Sequence, residues 1–133
     1  MKRVEHIGIA VKSIADSENL FSKLLNTEAY KKEIVQSEGV STTFFRSGDT
    51  KIELLEAINE SSPIAKFLSN RGEGIHHIAF EVDDIEAEMN RLKKEGFTLL
   101  SEKPKNGADN KLVCFLHPKS ANGVLVELCQ EKR

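Results

Sequence analysis

Apolar and polar residues alternate with a period of two over residues 4–11. Ile7, Ile9 and Val11 share one face and His6, Gly8 and Ala10 the other, which predicts a half-buried strand. The pattern returns at residues 75–85, where His77 falls in the place of His6 at an offset of 71 residues. A helical pattern follows each copy. In the first, Ser13 and Asp16 form a capping-box-like start, and Ile14, Leu20, Phe21, Leu24 and Leu25 are expected on one face. In the second, Asp84 caps the helix, Ile85, Met89 and Leu92 make its apolar stripe, and Gly96 stops it.

Three strand-like runs follow each helix, at residues 29–36, 40–46 and 50–56 and again at 98–102, 111–116 and 124–129. Gly39, Gly48-Asp49, Asn106-Gly107 and Asn122-Gly123 supply turn chemistry between them. The closing runs also match, with Glu53 answered by Glu127 at an offset of 74 residues. A loop about three residues longer in the second half absorbs the difference from 71. Each half therefore reads β-α-β-β-β, an α+β arrangement of two tandem modules at about 4–57 and 75–130. Between them, residues 62–70 form a connecting helix, with Ser62 as N-cap, Pro63 at the first helical position and Gly72 just past the end.

Composition narrows the function class. At 133 residues the chain fits one domain able to close its own core. Its 39 % hydrophobic and 30 % charged residues are ordinary for a folded protein. A net charge of −2, with no Lys/Arg-rich run, lacks the basic footprint of a nucleic-acid binder. No apolar stretch approaches the ~20 residues of a membrane span, and the first residues lead directly into a strand pattern with no signal-like apolar region. Cys114 and Cys129 are too few for a disulfide scaffold and read as small hydrophobes inside strands. The expectation is a reduced, cytoplasmic protein.

Strand parity carries the chemistry. His6 and His77 face away from the helices, and so do Glu53 and Glu127, whose neighbours Ile52, Leu54, Val126 and Leu128 point inward. One His or one Glu on a strand face is ordinarily solvated surface. Their repetition on equivalent strands and the same face of both halves makes a divalent-metal site the stronger reading, and duplication alone is the competing one. Gly8 and Ala79, beside the histidines, would leave room for a ligand. His76 points to the helix side of its strand, and His117 before Pro118 is placed to cap a turn or touch a ligand. The charges at Glu86, Glu88, Arg91, Lys93, Lys94 and Glu95 read as a solvated helix face, and Lys103, Lys105 and Lys119 as loop lysines with a phosphate role as the lesser reading.

Paired β-α-β-β-β modules with His and Glu on their first and last strands resemble the vicinal oxygen chelate superfamily of glyoxalase I, ring-cleaving dioxygenases and methylmalonyl-CoA epimerases. The epimerase branch is resembled most in residues 5–11, 50–55, 62–68, 74–78, 115–120 and 123–128, so the likeness covers essentially the whole chain. The connecting helix and the His117-Pro118-Lys119 segment are its more specific signals.

The resemblance implies a curved mixed sheet around a metal-binding cleft with the helices outside. His6, Glu53, His77 and Glu127 are the implied ligands of a divalent cation such as Co, Zn, Mn or Ni. It further implies an acyl-CoA substrate, a homodimer, and epimerisation of methylmalonyl-CoA by proton removal and return at C2, through an enolate that the metal stabilises. Glu127 is the first choice as general base and Glu53, its repeat mate, serves the other face. Some family members carry an acid/base glutamate at the position of Thr42, which cannot do that work directly and leaves the second proton-transfer group to be assigned. Two alternatives stand beside this reading: a glyoxalase I-type lactoylglutathione lyase using the same ligand set, and a metal-free small-molecule-binding member of the superfamily. An extradiol dioxygenase ranks lower, since a fourth ligand at Glu53 would reduce the open positions it needs.

Overall fold

The computed structural model describes residues 1–132. They form two compact units, one of residues 6–76 and one of residues 1–5 together with the chain from His77 onward. The β1 strand (Arg3–Ala10) and the β5 strand (Gly74–Glu81) each contribute residues to both.

In the unit of residues 6–76, β1 leads to α1 (Ile14–Leu25), followed by β2 (Lys31–Val35), β3 (Val40–Ser47), β4 (Thr50–Ala57) and α2 (Pro63–Arg71). The strand order is β2-β3-β4-β1, antiparallel from β2 to β4, with β1 parallel to β4. The expected caps are present. The Ser13 hydroxyl accepts from the Asp16 N–H at 3.3 Å, and the Ser62 hydroxyl accepts from Ile64 N–H at 3.1 Å with Pro63 at the helix start. Gly39 and Gly48 end their segments at φ of 67° and 64°, where a side chain would be strained.

Val11, Phe45 and Leu54 form the core under α1, joined by Ile9, Ile52, Ile14, Phe21 and Leu25. Burying each large apolar side chain stabilises the unit by about 2 kcal/mol. Leu20 and Leu24 do not join it: they are exposed, against the expectation of one five-residue stripe. At about 100° per residue, Ile14, Phe21 and Leu25 cluster on the core side while Leu20 and Leu24 lie roughly a quarter turn or more away. The other sheet face departs from expectation too. Ala10, Val40 and Leu55, on the same face as His6, are covered by α2 through Ile64, Phe67 and Leu68. The connecting helix thus closes one end of a face expected to be free of helices.

In the second unit β5 is followed by α3 (Ile85–Lys94), β6 (Lys105–Gly107), β7 (Lys111–Leu116) and β8 (Val126–Glu131), ordered β5-β8-β7-β6. β5 and β8 are parallel, matching the β1–β4 pairing. Asp84 caps α3 through the Ala87 N–H at 3.1 Å, and Ile85, Met89 and Leu92 pack on Val82, Cys114, Leu116 and Leu128. At the chain start, Lys2 N–H donates to the Glu81 carbonyl at 2.9 Å, and Arg3 Nη2 lies 2.8 Å from Glu81 Oε1.

One expected strand is displaced. Residues 98–102 make only an isolated bridge, Leu99 to Leu116, and the strand forms at Lys105–Gly107 instead. The turn expected at Asn106-Gly107 falls on Asp109 and Asn110, both left-handed at φ of 58° and 57°. These are residue types that tolerate that region through their short polar side chains. Gly107 serves another need: a Cβ there would lie 2.8 Å from Val113 Cγ1, so its missing side chain lets β6 approach β7.

Candidate active site

Each unit holds one His–Glu pair built the same way. On β1 and β4, Glu53 stands directly across from Gly8, two residues beyond His6. On β5 and β8, Glu127 stands across from Ala79, two residues beyond His77. The small residue opposite each glutamate leaves space for the imidazole two positions away on the same face. His6 Nε2 is 3.3 Å from Glu53 Oε1, and His77 Nε2 is 3.1 Å from Glu127 Oε1. All four residues are at most 5 % exposed. Charged or hydrogen-bonding groups this deep are expensive to bury without partners, so a repeated buried pair is a built feature.

A phenylalanine completes each pair. Phe44 is the β3 partner of Glu53 and sits edge-on to the His6 ring at a centroid distance of 6.4 Å. Phe115 is the β7 partner of Glu127 and sits edge-on to His77 at 5.8 Å. Nothing in either strand's own alternation marks these two rings, although they repeat at the same 71-residue offset as the histidines. Their rings limit the imidazole's rotation and exclude water from its apolar flank.

The face of β1–β4 carrying His6 and Glu53 can be followed by register. One row across the strands is Arg46, Lys51 and His6; the next is Lys31, Phe44, Glu53 and Gly8; the third is Glu33, Thr42, Leu55 and Ala10. Arg46 lies over the Tyr30 ring at 4.1 Å from its centroid. Thr42 is 1 % exposed and its hydroxyl donates to the Glu33 carbonyl at 3.4 Å, so it serves the backbone.

The two other histidines serve the fold. His76 stacks edge-on against Phe67 of α2 at 5.0 Å. His117 caps a 3₁₀ turn at Pro118–Ala121, its Nδ1 accepting from the Lys119 N–H at 3.1 Å. Cys114 and Cys129 are fully buried free thiols. Burial raises both above the ordinary thiol range. The carboxylates of Glu127, Glu5 and Glu81 push Cys129 further, against an opposing effect of Lys111. Neither is suited to nucleophilic work. The Lys105 ammonium lies 5.9 Å from the Phe115 ring centroid.

In each unit the imidazole nitrogen and the carboxylate, both buried on regular strands, are donor types that suit a divalent transition cation. The same residues would be poor ligands for Ca or Mg, which take oxygen donors throughout.

The chain's relatives agree with this architecture. A family model described as the glyoxalase/bleomycin resistance protein/dioxygenase superfamily matches residues 5–115. The ethylmalonyl-CoA/methylmalonyl-CoA epimerase of Cereibacter sphaeroides is 45 % identical over 130 residues, covering 96 % of this chain and 97 % of that one. The solved methylmalonyl-CoA epimerase of Mycobacterium tuberculosis superposes with a TM-score of 0.94 at 33 % identity, over 98 % of this chain and 88 % of that one. A variant of the Streptomyces coelicolor methylmalonyl-CoA epimerase, solved with 2-nitronate-propionyl-CoA, gives 0.94 at 29 % identity over 100 % and 99 % of the two chains. With two βαβββ modules, a His–Glu pair in each and this coverage, the chain belongs to the glyoxalase/bleomycin resistance protein/dioxygenase superfamily and, within it, to the methylmalonyl-CoA epimerases.

Proposed function

We propose that this chain interconverts the 2R and 2S epimers of methylmalonyl-CoA by removing the C2 proton and returning one to the opposite face. The observation that carries the reading is the duplicated, buried His–Glu pair, together with full-length relatives named as epimerases. His6, Glu53, His77 and Glu127 hold one divalent transition cation in this reading, and residues 1–133 act as one functional domain. When bound, the cation supplies positive charge that stabilises the oxyanion developing on the substrate thioester.

The protein's own groups do the rest. Glu127 acts as general base on one face of C2, and among the four ligands Glu53, its repeat mate, is the candidate for the other. Phe44 and Phe115 keep the imidazoles oriented and their surroundings dry, which strengthens each charge interaction. The buried strands fix these side chains before substrate arrives, so little reorganisation accompanies proton transfer.

The reading also takes the protein to be a cytoplasmic homodimer acting on an acyl-CoA. No helix among the described residues is long and apolar enough to cross a membrane. Light scattering of the eluted protein checks the dimer. The function is tested by incubating metal-loaded protein with methylmalonyl-CoA in D2O and following C2 by proton NMR, beside an EDTA-treated control. Metal-dependent deuterium uptake with interconversion of the epimers is expected. Absence of both from folded, metal-bound protein refutes the reading, and turnover of a glutathione hemithioacetal by the same sample would move it to lactoylglutathione lyase chemistry.

A further inference from the structure

Inversion at C2 needs a proton-carrying group on each face of the carbon. A carboxylate that is holding a cation has lent away much of its basicity, and Glu53 and Glu127 are both ligands in the reading above. A second proton carrier that is not a ligand lets Glu53 stay bound while Glu127 loosens to move the proton on its own face. The face of β1–β4 that carries Glu53 offers a second carboxylate. Register puts Glu33 of β2 and Thr42 and Phe44 of β3 on the same face as Glu53 and His6. Glu33 is the one carboxylate besides Glu53 among the described strand positions of that face.

Its placement fits proton transfer. Glu33 is the direct cross-strand partner of Thr42, one pleat along from the row of Lys31, Phe44 and Glu53. In sheet geometry this puts the two glutamates about 10 Å apart across the strands and about 7 Å along them at the backbone, a gap wide enough for substrate between their side chains. Thr42, buried and bonded to the Glu33 carbonyl, leaves the space above it to its longer neighbour. The Glu33 side chain is 31 % exposed, so it can exchange protons with water, and Lys31 Nζ lies 3.7 Å from its Oε1. α2 covers Leu55 and Ala10 of this row and Val35 and Val40 beyond it, so Glu33 stands at the border between the covered and the open part of the face.

We propose that Glu33 is the second acid/base group, carrying the proton on the face opposite Glu127 while Glu53 remains a ligand. The inference rests on the epimerase reading above. For one epimer, the Glu33 carboxylate takes the C2 proton, the C–H pair moves into the thioester enolate, and protonated Glu127 gives its proton to the other face. The opposite epimer uses the two glutamates in exchanged roles. Both return to their starting protonation state by exchange with water, so no other reactant is required.

The test separates exchange from inversion in Glu33→Gln, using each purified epimer in D2O and measuring bound metal by mass spectrometry. The expected variant keeps wild-type metal content and loses interconversion about 100-fold or more. It still exchanges the C2 proton of one epimer, the one Glu127 addresses, with retention of configuration, and loses exchange of the other. Interconversion at the wild-type rate overturns the proposal. So does an equal loss of both exchange reactions with metal retained, since Glu33 would then act on the site as a whole. Absence of exchange and interconversion in the metal-loaded wild type would instead bring down the epimerase reading, and the proposal with it.

Discussion

Glu127 stands across β5 from Ala79, and its Oε1 meets Nε2 of His77 at 3.1 Å; Glu53 stands across β1 from Gly8 and meets His6 at 3.3 Å. The same four-part device, with a glutamate, a small residue, a histidine and a phenylalanine, is thus written once in each half.

The first prediction concerns Glu127 itself. Glu127→Gln keeps an oxygen donor and the side-chain shape but removes the basic carboxylate. Steady-state kinetics should show kcat lower by about 100-fold or more, the range of a general base, with metal still bound. Full activity in this variant would remove Glu127 from its assigned role.

Thiol chemistry gives a second. Cys114 and Cys129 are fully buried, and both are raised by burial, so the native protein should react slowly with an alkylating reagent at pH 8 and both thiols rapidly in denaturant. The raised thiol also has a stability sign. The folded state favours the neutral form, so this contribution is complete below the unfolded thiol value of about 8.5 and is lost as pH rises above it. Urea midpoints measured from pH 7 to pH 10 should fall, and fall less steeply in Cys129→Ala. An equal slope in that variant would contradict the assignment.

Gly107 should resist substitution although its backbone is ordinary. An added Cβ would lie 2.8 Å from one Val113 methyl and 3.0 Å from the other. Gly107→Ala should therefore destabilise by about 1–3 kcal/mol as an overpacked contact. In Gly107→Ala/Val113→Ala the loss should be smaller than the sum of the two single losses, read from urea unfolding. Strict additivity would show that the contact is not the cause.

Much of this was legible in the sequence because it repeats. The His and Glu of each half, the caps at Ser13, Ser62 and Asp84, and the α3 stripe are local patterns, and their period or offset states their structure. What escaped depended on neighbours that sequence does not name. Leu20 and Leu24 belong to the helix but lie outside the angular sector the sheet covers. Residues 98–102 have strand character, yet the pairing with β7 goes to Lys105–Gly107, where Gly107 allows close approach. The covering of Ala10 by α2 and the cross-strand place of Glu33 are consequences of topology and register, which no single strand's alternation contains.

The claim that one cation draws on both halves is tested most directly by metal content per chain, measured after loading and desalting, in wild type and in His6→Ala and His77→Ala. The account predicts one equivalent in wild type and a deep loss in either variant, with the fold retained by circular dichroism. Two equivalents in wild type, or one equivalent persisting in His77→Ala, would contradict it.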